Sequence, residues 1–73
     1  MNTVETMEVI KINTIGDVEI SNIGNKVEVV YLNLDNELIT DNFTINNFDI
    51  DNEDSIKTLE NKIIFSDKFI GLC

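Results

Sequence analysis

Val27-Glu28-Val29-Val30-Tyr31-Leu32-Asn33-Leu34 is the stretch on which the fold turns. Successive side chains of a strand point to opposite faces. Val27, Val29 and Tyr31 therefore face one way, and Val30, Leu32 and Leu34 the other. A strand apolar on both sides is normally covered on both sides. A chain of 73 residues has little material for that, since a domain of this size buries only about 60–65% of its unfolded surface. A helix of the same chain accounts for one cover. A second copy of the chain, or closure of the sheet into a small barrel, would supply the other.

Outward from this strand the punctuation repeats. Gly16-Asp17 separates Met7–Ile15 from Val18–Ile23, and Gly24-Asn25 separates Val18–Ile23 from Val27–Leu34. Both are hairpin-type turn signals, in which glycine supplies a positive φ. Asp35-Asn36-Glu37 breaks the chain again before Leu38–Ile45. Four strands in a meander follow. The first shows the same doubling, with Met7 and Val9 opposed to Ile10 and Ile12.

After the strands, Ile56, Leu59 and Ile63 fall at i, i+3 and i+7, the stripe of an amphipathic helix. Asp51 or Asn52 caps it, and Glu53 and Asp54 occupy the first turn, where the helix dipole favours anions. Ile63-Ile64-Phe65 and Phe69-Ile70, either side of Ser66-Asp67-Lys68, read as a fifth strand or a bent hairpin. The order ββββαβ gives a single α+β domain, mainly antiparallel meander with one short helix. The alternative is a small all-β barrel.

Charge is the second dominant feature. Fourteen acids against five bases give −9. From Val27 to Ile56 there are eight acids and no base: Glu28, Asp35, Glu37, Asp41, Asp49, Asp51, Glu53 and Asp54. Unpaired buried carboxylates are costly, so these are expected on the surface. Direct nucleic-acid binding needs Lys and Arg on phosphates, and an anionic membrane would repel this chain, so neither is expected as a partner. A basic protein surface would attract it.

The chemistry of sites is sparse. There is no histidine, and the single cysteine is Cys73, so nucleophilic catalysis lacks its base and no internal disulfide forms. No glycine-rich phosphate loop is present. The expectation is no enzyme, no catalytic residue and no cofactor. Asp49 to Glu60 partly resembles an EF-hand calcium loop, with Asp49, Asp51, Glu53 and Glu60 at ligand positions. Asp54 stands where that loop needs glycine and Lys57 puts a cation among the ligands, so no metal site is expected. No apolar run is long enough to span a bilayer. Met1–Glu8 holds two acids and no base, unlike a signal peptide. The expected setting is cytoplasmic.

In size, acidity and single-domain form the chain is similar to virus-encoded anti-defence proteins of the anti-CRISPR or anti-restriction type. That likeness implies a small inhibitor whose carboxylates occupy a basic, phosphate-binding surface of a nucleic-acid-handling enzyme. Asp35, Glu37, Asp41, Asp49, Asp51, Glu53 and Asp54 are its candidate partner-binding residues, brought by the meander to one rim. Phe48, in an Asn/Asp-rich loop, is the candidate exposed anchor. The competing reading is a β-rich oligomeric accessory or structural module, acidic for solubility. In both, a homodimer or higher oligomer is expected.

Overall fold

The computed structural model describes residues 7–71. Four strands, β1 (Met7–Ile12), β2 (Gly16–Ile23), β3 (Lys26–Leu32) and β4 (Leu38–Thr44), precede two helices, α1 (Glu53–Ile64) and α2 (Asp67–Ile70). The strands form one antiparallel sheet in the order β1-β2-β3-β4, an open meander that does not close into a barrel. Cys73 lies outside the described residues.

Gly24-Asn25 is the two-residue turn between β2 and β3, but residues 13–15 make the β1–β2 turn, and Gly16 and Asp17, expected as that turn, open β2 paired with Ile12 and Lys11. Gly16 and Gly24 have φ of 100° and 59°, backbone that costs a side chain about 1–2 kcal/mol but glycine almost nothing. Between β3 and β4 the positive φ falls to Asn36, at 63°, one of the few other residues that tolerate it.

Register sorts the side chains as the alternation of β3 requires. Val27, Val29 and Tyr31 are buried beside Val18 and Ile20 of β2. Leu59 and Ile63 of α1, both fully buried, cover them, with Phe69 of α2 against the same core. Burying a side chain of this size contributes about 1.5–3 kcal/mol. The Tyr31 and Phe69 rings meet at 6.0 Å between centroids, tilted by 56°. Among the described residues no element covers the other face. Val9, Ile23, Leu32 and Leu38 stand exposed on it, and Val30 is half-buried.

The segment expected as a fifth strand is helical. Ile63 follows Leu59 by four residues, so burying it against the sheet carries α1 on through Ile64. Phe65 then ends the helix, and Ser66 starts α2 by accepting the Lys68 N–H at 3.2 Å. The observed order is ββββαα.

Candidate functional site

The loop from Ile45 to Asn52 holds Asp49 and Asp51 and leads into α1, whose first turn adds Glu53 and Asp54. It is pinned to the β2–β3 end of the sheet, because the Ile45 N–H donates to the Asn25 carbonyl at 2.9 Å. Asn47 adopts a φ of 57° and the chain turns. The turn sends Phe48 inward, where it joins the core at 7% exposure, and Asn22 Nδ2 donates to its carbonyl at 3.4 Å. The expectation of an exposed Phe48 anchor is thus corrected. Its polar neighbours suggested the surface, but the left-handed turn at Asn47 reverses its direction. The exposed aromatic is Phe65, at 78%.

Asp49 shapes the next turn. Its Oδ1 accepts the Asp51 N–H at 3.0 Å, and its own N–H donates to Ser55 Oγ at 3.1 Å. Asn52 is the helix cap, accepting from the N–H groups of Asp54 at 2.8 Å and Ser55 at 3.3 Å. Asp51, Glu53 and Asp54 are left exposed, with no hydrogen bond to their carboxylates among the described residues. The positive end of the α1 dipole favours Glu53 and Asp54 there. Ile50, Asp51, Asn52, Glu53, Ile56 and Lys57 line a cleft of about 350 Å³, apolar at its floor through Ile50 and Ile56 and acidic at its rim.

The remaining candidates are elsewhere. β4 runs the length of the sheet between the turn holding Asp35 and Glu37 and the loop holding Asp49 to Asp54. At about 3.3 Å per strand residue the two groups are roughly 20 Å apart. They occupy opposite ends of the sheet, which corrects the expectation of one rim. At the far end Asn33 is a buried hub. Its Oδ1 accepts the N–H groups of Asp35 and Glu37, each at 2.9 Å. Its Nδ2 donates to Glu37 Oε1 at 3.2 Å and to the Lys68 carbonyl at 3.1 Å. The Asp35 carboxylate lies over Gly71, where any side chain would strike it.

Asp41 departs furthest from its expected place on the surface. It is 8% exposed and satisfied by donors. Tyr31 Oη donates to Oδ2 at 3.3 Å and Ser66 Oγ at 2.9 Å, while the Asn42 N–H donates to Oδ1 at 2.9 Å. Lys68 Nζ lies 3.8 Å from Oδ1. Buried carboxylates persist when donors replace water, and here they come from three elements. Burial, with the adjacent Asp41 charge, pushes the Tyr31 hydroxyl up to about 12 from its ordinary 10.0. Sequence reading missed this cluster and Asn33, because Ser66 and Lys68 are remote from Asp41 in the chain.

The resemblance to a calcium loop does not extend to its geometry. Glu53 to Glu60 is helical, and Glu60 accepts from Thr14 Oγ1 at 2.6 Å in the β1–β2 turn. No group of three or more His, Cys, Asp or Glu residues suited to a metal ion occurs among the described residues. No helix among them is long and apolar enough to cross a membrane. No protein family, curated protein or solved structure matches this chain.

Proposed function

We propose that this chain is a small acidic protein inhibitor, virus-encoded and of the anti-CRISPR or anti-restriction kind, that occludes a basic nucleic-acid-binding surface of its target. Carboxylates at the start of α1 take the place of phosphates. Lys and Arg clusters that grip phosphate oxygens also pair well with carboxylate oxygens. The reading gives the chain no catalytic role and no cofactor.

The observation that carries it is the lack of internal neutralisation. Among the described residues the one ion pair is Lys68 with Asp41, within a net charge of −9. Asp51, Glu53 and Asp54 make no ion pair among the described residues, and Lys57 is the one cation lining the cleft beside them. They sit on a capped helix end and not on a loose tail, so less ordering is needed when they bind. The cleft floor at Ile50 and Ile56 adds apolar surface beside them. Asp35 and Glu37 form a secondary acidic site at the other end.

The test begins with capture of the target from host lysate at low salt and its release at high salt. A labelled DNA duplex is then bound to that target, and the chain is titrated in. Displacement of the duplex by stoichiometric chain supports occlusion. A ternary complex that retains the duplex contradicts it.

A further inference from the structure

We propose that the open face of the sheet is the interface with a second copy of this chain. Register places its apolar side chains together. Leu32 and Leu38 are direct cross-strand partners. Val30 follows on the same face of β3, and Val9 lies across Glu19 from Val30. Leu38 is 73% exposed, Val9 61% and Leu32 49%. Leu32, Leu38 and Val30 adjoin as one apolar patch, and Glu19 of β2 separates it from Val9; an exposed apolar patch is where a monomer gains from a partner.

Charge identifies the occupant. The face carries Lys11 opposite Asp17, then Glu19, Lys26 and Glu28, for a net of −1 within a chain of −9. β4 adds only Thr40, Asn42 and Thr44 to its polar part. A second acidic copy can approach this face without strong repulsion, and a basic partner would find little to hold there. A face-to-face dimer turns both acidic helix layers outward, so this inference does not rest on the inhibitor reading.

Two further features agree. The middle of the β4 edge is already occupied, because the Asn42 N–H donates to Asp41 and Lys68 Nζ reaches the Thr40 carbonyl at 3.5 Å. Such blocking disfavours edge-to-edge pairing through β4, which favours face-to-face packing of two sheets over pairing at that edge. Four strands about 4.8 Å apart and roughly 20 Å long give a flat footprint of roughly 400 Å² per copy. The relief of the side chains brings the total to roughly 1,000 Å², the lower limit for a specific interface. An interface at that lower limit is a weak, reversible one.

Sedimentation equilibrium tests this at about 100 μM, high enough to populate a weak dimer. The expected mass is twice the chain's 8.3 kDa. Association should tighten as salt rises, because the like charges of the two copies are screened. Leu38→Lys and, on the opposite edge of the face, Val9→Lys should each weaken it about tenfold or more. Phe65→Lys, on the helix layer, should leave it unchanged. All three positions are exposed, and circular dichroism checks that each variant folds. A parent that stays at the single-chain mass overturns the proposal. So does a dimer that loosens with salt, or one lost in Phe65→Lys and kept in both face variants.

Discussion

The Tyr31 hydroxyl donates to Asp41 across neighbouring strands at 3.3 Å, and that bond lies beneath α2 inside the molecule. Ser66 and Lys68 close over the same carboxylate. An acid that composition assigns to the surface thus joins β3, β4 and the C-terminal helices. Replacing Asp41 by Ala strands the Tyr31 and Ser66 hydroxyls, and one unsatisfied buried group costs about 1–3 kcal/mol. Urea unfolding should show a loss in that range at unchanged slope. Asp51→Ala, at an exposed and unbonded carboxylate, should change stability by less than about 0.5 kcal/mol.

Tyr31 is the single tyrosine of the chain, so its ionisation can be read alone at 295 nm. Burial and the Asp41 charge raise its folded value to about 12. The raised value means that the folded state favours the neutral phenol. The stabilisation is complete below the unfolded value near 10 and is lost as pH rises toward 12. Native protein should therefore titrate well above pH 10 and denatured protein near 10. Asp41→Asn should lower the native value by removing the charge.

Asn52, and not Asp51, caps α1. Asn52→Ala should cost about 1 kcal/mol, seen as a lower urea midpoint at which helix and sheet signals are lost together. Equal losses for Asn52→Ala and Asp51→Ala would contradict the cap geometry.

Gly71 ends α2 with a φ of 88°, directly beneath the Asp35 carboxylate. Gly71→Ala should cost roughly 1–2 kcal/mol from the backbone alone. Removing the obstruction with Asp35→Ala should recover only the steric part, which a double-mutant cycle in urea measures.

Much of the sheet is legible in the chain because its signals are local. Gly24 marks the β2–β3 turn and Gly16 the residue that follows the β1–β2 turn, both at positive φ, and the alternation of Val27 to Leu32 sorts its side chains into two faces. The Ile56, Leu59 and Ile63 stripe is equally local. The misread parts depend on distant partners. Ile63-Ile64-Phe65 has strand-like composition, but burial of Ile63 one turn beyond Leu59 overrides that preference. Phe48 turns inward on the conformation of Asn47, and Asp41 is buried because Ser66 and Lys68 return to it from the far end of the chain. Alternation predicts that both faces of β3 are apolar, and the structure shows which one the helices leave open.

The central claim is that the carboxylates at the start of α1 bind a basic surface. Single truncations at exposed carboxylates are worth roughly 0–1 kcal/mol, so the decisive variant reverses Asp51, Glu53 and Asp54 together to Lys. It keeps the Asn52 cap, and circular dichroism checks its fold. The measurement is a binding titration against the captured target at physiological salt, run beside the parent and an Asp35→Lys, Glu37→Lys variant. The triple reversal should lower affinity at least about tenfold, more than the double reversal does, and parent binding should weaken steeply as salt rises. A folded triple variant that binds as tightly as the parent would contradict the central claim.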